Sequence, residues 1–385
     1  MNIVADENMA LVQEFFSDLG DLRCYAGRQL KQEYLVNADI LLVRSVTQVN
    51  ADLLIDTPVR FVGSATIGAD HLDLSWLQQQ GVKATTAPAC NARSVVEYVF
   101  SALAYLQEHL KIEMSQKTLG IVGLGNVGYL LAKVASQLGF KVIGCDPFVQ
   151  KEDVVQLPLE GLLTEADIIC LHTPLTKQGA YPTHHLLSAH NLKCLKQGAI
   201  LLNAGRGAVI DNQALLSFIK SNPNYLAAVV LDVWEAEPEI DVNLVANVDI
   251  ATPHIAGYSL EGKWRGTEMI YQAVCHFLQI KPQHKLADFL PINNQVFTWP
   301  NLPSIWQNYA RLLRQIYPIE QDDCALRQTM SCVTKEERAL AFDQLRKHYW
   351  PRRECSAYQL ADIHSATRQQ EMANLGFNIV KTTNT

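Results

Sequence analysis

The sequence predicts an α/β protein with two doubly wound parallel sheets and a smaller C-terminal α+β domain. Three observations support this prediction. Short apolar runs alternate with helical patterns in two successive series, and a glycine turn of the form G-x-G-x-x-G follows the first strand of the second series. Near residue 286 the alternation stops and prolines become frequent. Since strands that alternate with helices pair in parallel, each series predicts one parallel sheet.

Size and composition exclude several classes of protein. The 385 residues are enough for two or three domains. With 32 basic and 39 acidic side chains, the net charge of −7 disfavours nonspecific binding to nucleic acid or to acidic lipid. The N-terminus lacks the pattern of a secretion signal, and no apolar run is long enough to span a bilayer. The nine cysteines are scattered and form no C-x-x-C pair. This usage favours reduced thiols in a cytoplasmic protein over disulfides or a metal site.

The first series supplies the first predicted sheet. Strands are predicted at residues 2–6, 40–43 and 61–65, and helices at 11–19 and 72–79. A long amphipathic helix is predicted over residues 94–110, with apolar residues at helical spacing.

The second series supplies the second sheet and is followed by a different kind of sequence. Its strands are predicted at 119–122, 141–145, 168–171, 199–203, 228–231 and 249–251. Its helices are predicted at 126–138, 186–193, 212–220 and 259–278. Residues 286–301 are predicted to be a connector. Helices at 306–316 and 335–349 follow, with a short α/β unit at 358–380.

The glycine turn predicts a dinucleotide-binding site. Gly123 permits the tight turn, Gly125 lets backbone approach a pyrophosphate, and Gly128 lets the helix pack closely on the strand. The helix that begins at Asn126 directs its free N–H groups and its positive end toward the phosphates. The motif is weak by itself, but here it lies between an apolar strand and a helix.

Asp146 ends the next strand, about 20 residues after the turn, which is the spacing expected of an acid that binds ribose hydroxyls. Its charge would repel a 2′-phosphate, so NAD is favoured over NADP. The alternative interpretation is that Asp146 caps a turn.

Three residues downstream of the turn suit chemistry on a 2-hydroxy acid. Arg206 follows a strand and lies between two glycines, where a guanidinium can hold a carboxylate by two bonds. His254 follows another strand and can exchange the hydroxyl proton as a hydride leaves. Glu237 could hydrogen-bond to His254, which would fix its tautomer. The alternative role of Arg206 is a surface salt bridge. The alternative role of His254 is structural, which is the role that we expect for His184, His185 and His190.

Several motifs, in this order, resemble the D-isomer-specific 2-hydroxyacid dehydrogenases over about residues 1–285. They are loops like that family's substrate-domain loops at 44–45 and 63–71, the glycine turn at 123–128, His-Thr-Pro-Leu at 172–175, Asn-Ala-Gly-Arg-Gly at 203–207, Asp-Val-Trp-x-x-Glu-Pro at 232–238 and Pro-His at 253–254. The resemblance implies two Rossmann-like domains and NAD as cofactor.

The resemblance also implies the roles of individual residues. The implied catalytic residues are Arg206, Glu237 and His254. The implied substrate contacts are Ser45, Thr66 and Tyr258. Besides the three glycines of the turn, the implied NAD contacts are Asn126, Val127, Asp146, Thr173, Ala204, Gly205, Arg206, Asp232 and Gly257. No metal ligand is implied.

A narrower resemblance covers the opening residues 4–8, the stretch 254–267 and the C-terminal stretch 345–354. It points to one branch of the family, whose members act on a phosphorylated hydroxy acid and dimerise through a C-terminal domain. It implies a substrate-binding domain of residues 1–93 and 258–285, an NAD-binding domain of 94–257, and a dimerisation domain of 286–385. It also implies a homodimer.

A substrate phosphate requires cations, and the sequence leaves their identity open. The candidates are Arg44, the pair Arg346 and Lys347, and the pair Arg352 and Arg353. The alternative interpretation of the C-terminal basic run is a solvated helix face. Two other functions stay open. One is a D-3-phosphoglycerate dehydrogenase, and the other is a non-enzymatic NAD-sensing binding protein of the same fold.

Overall fold

The computed structural model of the protein describes residues 1–114, 116–332 and 334–380. The chain divides into two compact units. The first unit consists of Met1–Asn91 and Ser259–Ile292, and the second consists of Ala92–Tyr258 and Asn293–Thr385. Both units are therefore discontinuous in sequence. The predicted division into three domains stays a prediction.

The strands, in chain order, are β1 (Asn2–Asp6), β2 (Asp21–Tyr25), β3 (Ile40–Val43), β4 (Phe61–Ser64), β5 (Lys83–Thr85), β6 (Thr118–Val122), β7 (Lys141–Cys145), β8 (Val155–Gln156), β9 (Ile168–Leu171), β10 (Ile200–Asn203), β11 (Ala228–Leu231), β12 (Ile250–Ala251), β13 (Val296–Thr298), β14 (Gln359–Ala361) and β15 (Asn378–Ile379). The α-helices are α1 (Val12–Phe16), α2 (Ala51–Leu54), α3 (Leu74–Gln79), α4 (Ala92–His109), α5 (Asn126–Gln137), α6 (Leu159–Glu165), α7 (Asn212–Ser221), α8 (Val242–Ala246), α9 (Leu260–Phe277), α10 (Ile305–Ile316), α11 (Glu320–Thr329), α12 (Lys335–Lys347) and α13 (Ala366–Asn374).

The first unit is built on a parallel sheet of order β2-β1-β3-β4-β5. Strands β3 and β4 are buried along their whole length, so both of their faces are covered, as expected of a parallel sheet with helices on each side. Helix α9 returns to this unit from late in the sequence and packs on α1, where the rings of Phe15 and Tyr271 lie 5.2 Å apart.

The second unit contains a parallel sheet of order β12-β11-β10-β9-β6-β7-β8. The order reverses between β6 and β9, which pair in register from Leu119 opposite Ile168 to Val122 opposite Leu171. Ligands of open α/β sheets bind outside the carboxyl ends of the strands at such a reversal. The fold therefore directs the loops after β6, β9, β10, β11 and β12 to one edge of the sheet.

The C-terminal residues share a hydrophobic core with the rest of the second unit. Helix α10 packs against α4, with the rings of Phe100 and Trp306 6.0 Å apart. Ser101 Oγ donates a 2.6 Å hydrogen bond to the carbonyl of Tyr317. A small parallel sheet of order β13-β14-β15 completes this part, and Leu360 at its centre is fully buried.

Several predicted elements differ from the structure. Residues 186–193 were expected to be a helix, but their only regular element is the start of a short 3₁₀ turn, Leu192–Cys194. The expected connector at 286–301 contains strand β13. The sequence pattern missed the following short elements: β2, β5, β8, α2, α6, α8 and α11. Most of these segments are too brief for a period to show, and β2 and β5 are edge strands with little apolar alternation. Helix α11 has ten residues, but few of them are apolar.

The cysteines are free thiols in the structure. All nine lie among the described residues, and none is in a disulfide. Burial raises the pKa of the Cys170 and Cys355 thiols, which keeps both protonated and unreactive. In the described part of the chain, no helix has both the length and the apolar character needed to cross a membrane.

Candidate active site

The glycine turn lies where the fold predicts a ligand. Strand β6 ends at Val122, and α5 begins at Asn126 with Gly125 at its N-cap. A side chain on Gly128 would place its Cβ 1.8 Å from the Gly123 carbonyl oxygen, so the close packing of helix on strand requires glycine. A Cβ on Gly125 would meet nothing within 4 Å, so the helix N-terminus faces open space.

The loop after β9 supplies an unsatisfied polar group beside the turn. Thr173 Oγ1 is buried and has no hydrogen-bond partner in the described chain, and the same holds for His172 Nε2. A Cβ on Gly123 would lie 3.0 Å from Thr173 Cγ2, so this threonine borders the turn. Burial lowers the pKa of His172 to about 4, so its imidazole is neutral at physiological pH. An open helix N-terminus with an unsatisfied hydroxyl beside it fits a dinucleotide, and the NAD contact of Thr173 stays a prediction.

Asp146 carries the hydrogen bonds of a turn cap. Its Oδ2 accepts from the backbone N–H of Leu124 at 2.8 Å, and its Oδ1 accepts from those of Phe148 at 2.9 Å and Val149 at 3.0 Å. The carboxylate therefore links the glycine turn to the end of β7. The predicted ribose contact would use its remaining lone pairs and stays a prediction.

Arg206 lies on a loop that Asn203 holds in place. Asn203 ends β10, accepts from the Gly205 N–H at 3.1 Å and donates to the Arg206 carbonyl at 2.9 Å. The Arg206 guanidinium donates to the Gly205 carbonyl at 3.0 Å. A Cβ on Gly207 would lie 1.9 Å from the Trp234 carbonyl oxygen, so the Arg206 loop is pressed against the loop after β11.

Glu237 and His254 form a hydrogen-bonded pair, as the sequence predicted. His254 Nδ1 and Glu237 Oε2 are 2.7 Å apart, and Glu237 Oε1 accepts from the Trp234 N–H at 2.9 Å. Burial alone would raise the pKa of Glu237, but the charge of His254 and the bond to it lower this pKa. Glu237 is therefore ionised, and His254 Nδ1 carries the shared proton, which leaves Nε2 to exchange protons.

Asp232 fixes the loop that carries His254. Its carbonyl accepts from the His254 N–H at 2.7 Å, and its carboxylate accepts from the N–H groups of Ile255 at 2.8 Å and Ala256 at 2.9 Å. Thr252 Oγ1 also donates to it at 2.6 Å. His254 has φ 57°, a left-handed conformation that is unfavourable for histidine and persists because these bonds impose it.

The remaining predicted cofactor contacts are distributed around this edge. Asn126 is exposed at the start of α5, and Gly257 is half-buried after the His254 loop. Val127 and Ala204 are half-buried against the core of the second unit. The structure thus gathers the predicted residues of the second unit around the carboxyl ends of its strands.

The two predicted substrate contacts of the first unit follow neighbouring strands. Ser45 is exposed just after β3. Thr66 follows β4, and its hydroxyl lies 2.8 Å from that of Ser64. Because β3 and β4 pair in parallel, both residues lie at the same edge of the sheet. Beside them, Arg44 Nε lies 3.3 Å from Oδ2 of the buried Asp6.

Two C-terminal arginines contact the His254 loop, and sequence reasoning did not place them there. Arg346 Nη2 donates to the hydroxyl of Tyr258, the third predicted substrate contact, at 2.9 Å. Arg352 Nη2 donates to the Ala256 carbonyl at 2.5 Å. The alternative of a solvated helix face is wrong for Arg352, whose side chain is buried, whereas Lys347 is exposed. The only sign of this in the sequence was the cluster of basic residues at 346–347 and 352–353.

One group of described residues has the spacing of a metal site. His184, His185 and Glu235 present ligand atoms within 4.8 Å of one another. His185 Nε2 lies 2.7 Å from Glu235 Oε1, and the two imidazoles stack with centroids 4.0 Å apart. An ordinary hydrogen bond and ring stacking account for this geometry, so the expectation of no metal stays a prediction.

The comparisons with known proteins agree with this site. Residues 96–256 match the family described as D-isomer specific 2-hydroxyacid dehydrogenase, NAD binding domain, and residues 293–376 match one described as Domain of unknown function (DUF3410). The chain is 48% identical over 388 residues to the erythronate-4-phosphate dehydrogenase of Marinobacter nauticus, covering 98% of this chain and 100% of that one. It is 45% identical over 389 residues to that of Pseudomonas aeruginosa, covering 99% and 100%.

Solved structures share the fold. A D-lactate dehydrogenase of Aquifex aeolicus, complexed with NAD and lactic acid, gives a TM-score of 0.61 at 26% identity, covering 72% of this chain and 96% of that one. An NAD-bound 3-phosphoglycerate dehydrogenase of Entamoeba histolytica gives 0.63 at 23% identity, covering 75% and 99%, and shows the fold alone. Since relatives at 45–48% identity match along nearly the whole length, the chain belongs to the erythronate-4-phosphate dehydrogenases, NAD-dependent oxidoreductases of the D-isomer-specific 2-hydroxyacid dehydrogenase family.

Proposed function

We propose that this protein oxidises 4-phospho-D-erythronate to (R)-3-hydroxy-2-oxo-4-phosphooxybutanoate, a step toward pyridoxal 5′-phosphate. The observation that carries the proposal is the 2.7 Å contact between His254 Nδ1 and Glu237, at the carboxyl edge of the sheet. The match to erythronate-4-phosphate dehydrogenases along nearly the whole chain names the substrate.

His254 acts as the general base. With Nδ1 bonded to Glu237, Nε2 takes the proton of the C2 hydroxyl, and the ionised Glu237 stabilises the imidazolium that forms. Such a base contributes about 10²–10⁴-fold in rate. NAD, held at the glycine turn, would supply the acceptor for the hydride of C2. Asp232 maintains the orientation of His254 through the three backbone N–H groups of residues 254–256.

Arg206 is the proposed partner of the substrate carboxylate. A guanidinium forms two parallel bonds to a carboxylate and stays charged throughout, so it also polarises the C2 oxygen as a carbonyl develops. Asn203 and Gly207 fix the backbone on each side of it. Orientation of reacting groups supplies roughly 7–11 kcal/mol of barrier reduction in enzymes generally.

Hydroxyl groups suit the rest of a polyhydroxy acid. Ser45, Thr66 and Tyr258 are the proposed contacts, and each offers one O–H donor and acceptor oxygens. The NAD contacts proposed above complete the list of binding residues. Neutral His172, buried beside the cofactor seat, adds no charge there.

A homodimer in the cytoplasm completes the proposal. The test is sedimentation of the protein at several concentrations. The full chain must be used, because Trp306 and Leu313 of the C-terminal part are buried in the core of the second unit. A truncated chain would expose that core and could not test dimerisation. A concentration-independent monomer would contradict the homodimer.

The test of function is NAD reduction with 4-phospho-D-erythronate and 3-phospho-D-glycerate compared side by side. We expect a higher kcat/KM for phosphoerythronate. A preference for phosphoglycerate would favour a D-3-phosphoglycerate dehydrogenase. Tight NAD binding without turnover of either acid would favour an NAD-sensing protein.

A further inference from the structure

Arg346 brings the C-terminal part of the chain into the candidate site. It lies near the end of α12, and its Nη2 donates to the Tyr258 hydroxyl at 2.9 Å. Its Cζ lies 5.6 Å from the centroid of the same ring, so the guanidinium holds Tyr258 in two ways. Tyr258 follows His254 by four residues and is tied to the His254 loop by a 2.8 Å bond from its N–H to the Ile255 carbonyl.

The guanidinium of Arg346 has an unused donor. Its side chain is 16% exposed, and Nε is buried without a partner among the described residues. The other contact is between Nη1 and Asp343 Oδ1, at 4.0 Å. A buried donor without an acceptor is unfavourable and rare in native proteins. Nε is therefore a donor that an oxyanion could use, next to the Nη2 group that bonds to Tyr258.

The charge of Arg346 acts on the catalytic pair. Burial would lower the pKa of Arg346, but Tyr258 and Glu237 raise it, so the guanidinium stays charged. In return, Arg346 contributes to lowering the pKa of Glu237. A cation is therefore maintained close to the residues that carry out proton transfer.

Most of the other candidate cations are bonded elsewhere or lie in solvent. Arg44 forms an ion pair with the buried Asp6. Arg352 also has a buried donor without a partner, Nη1, but its side chain is only 2% exposed, lies over the ring of Tyr317 at 4.2 Å and donates to Ala256. Arg206 is assigned to the carboxylate, and Lys347 points to solvent.

We propose that Arg346, held by Tyr258, binds the phosphate group of the substrate and thereby gives the enzyme its specificity for a phosphorylated acid. This inference rests on the proposed function. A phosphate monoester is a dianion with several acceptor oxygens, which suits a fork of N–H donors better than a hydroxyl-lined surface does. The C-terminal part of the chain would then contribute directly to substrate recognition.

The experiment compares 4-phosphoerythronate with erythronate, which lacks the phosphate, in the full-length wild type and in Arg346→Met. We expect Arg346→Met to lower kcat/KM for 4-phosphoerythronate on the order of 10- to 100-fold, mainly through KM, as for loss of a bond to a charged group. The loss of kcat/KM for erythronate should be smaller and limited to the effect of Arg346 on Tyr258 and Glu237. Arg346→Lys should recover part of the loss, because it restores the charge.

The wild type and a matched variant separate the possible outcomes. Arg311→Met removes the same charge from an exposed position on α10 and should leave both substrates unaffected. Equal losses for both substrates in Arg346→Met, with NADH binding and melting temperature retained, would overturn the inference, as would no loss for either. If Arg346→Met does not fold, an undiminished phosphate preference in Arg346→Lys and in Tyr258→Phe overturns it. A wild type that does not oxidise 4-phosphoerythronate refutes the proposed function itself.

Discussion

Arg352 and Ala256 connect the C-terminal part of the chain to the loop that carries His254. Arg352 Nη2 donates to the Ala256 carbonyl at 2.5 Å, while the Ala256 N–H donates to Asp232 at 2.9 Å. The same peptide segment is therefore held from both sides. The C-terminal residues act on the candidate site as part of its framework as well as through Arg346.

We predict that Arg352→Met lowers the free energy of unfolding by about 3–5 kcal/mol, the range for breaking a buried charged contact. The loss arises because the Ala256 carbonyl loses its donor and the buried Asp322 loses a neighbouring cation. Urea denaturation measures it, with Arg311→Met as an exposed control. A change below 1 kcal/mol would show that Arg352 is not needed to hold the loop.

Replacing Asp232 with asparagine should separate loop support from cofactor binding. The amide cannot accept from all three donors that now bond to the carboxylate, so the His254 loop loosens, although the His254 N–H keeps its bond to the backbone carbonyl. We expect kcat to fall at least about tenfold, since one lost hydrogen bond to a charged group costs about 1.5–3 kcal/mol. NADH titration in the same variant tests the predicted NAD contact of Asp232. Asp153→Asn, at an exposed position, is the control.

The proposed roles of His254 and Arg206 predict a loss of turnover that is much larger than any loss of cofactor binding. His254→Ala should lower kcat by about 10²–10⁴-fold, as expected for removal of a general base. Arg206→Ala should abolish turnover as well, because the carboxylate loses its partner. NADH fluorescence titration should show affinity close to that of the wild type in His254→Ala and a modest loss in Arg206→Ala, because Arg206 is also a predicted NAD contact. His190→Ala, an exposed histidine of the same unit, should retain activity. Normal turnover in either active-site variant would remove its assigned role.

Glu97 gives the protein a distinctive dependence of stability on pH. Burial, aided by the charge of Glu354, raises the pKa of Glu97 to about 8. In this range the unfolded state releases the Glu97 proton before the native state does. The contribution of Glu97 to the free energy of unfolding is thus fully present below the ordinary glutamate pKa and is lost as pH rises toward 8. We predict that wild-type stability falls relative to Glu97→Gln between pH 5 and pH 8.

Chemical denaturation at a series of pH values tests this prediction. Glu165→Gln, at an exposed position on α6, provides the comparison and should follow the wild type. Parallel curves for wild type and Glu97→Gln over the whole range would contradict the assignment.

The strong periodic patterns predicted the main elements of the fold well. Strands β1, β3, β7, β9 and β11 have the predicted bounds because each is a compact apolar run. The β6 to α5 turn was also predictable, since glycines at fixed spacing impose its geometry. Short segments such as β2, β5 and α8 carry too few residues for a period and are decided by the neighbours they pair with.

The sequence by itself determined the chemistry available to this protein. Its ordered motifs predicted the dinucleotide-binding site. They also placed Arg206, Glu237 and His254 in the order that the family uses. Local spacing carries this information because strand ends and loops are encoded by adjacent residues.

Only the tertiary structure decided what surrounds that chemistry. Asp232 bonds three N–H groups more than twenty residues away in sequence, and Arg346 and Arg352 reach the His254 loop from about ninety residues away. A pattern of residues cannot show such contacts, because they depend on how distant elements pack and on which charges packing removes from water. The physical reason is that hydrogen bonds between residues close in sequence determine the helices and strands. Tertiary packing determines which groups contact each buried charge.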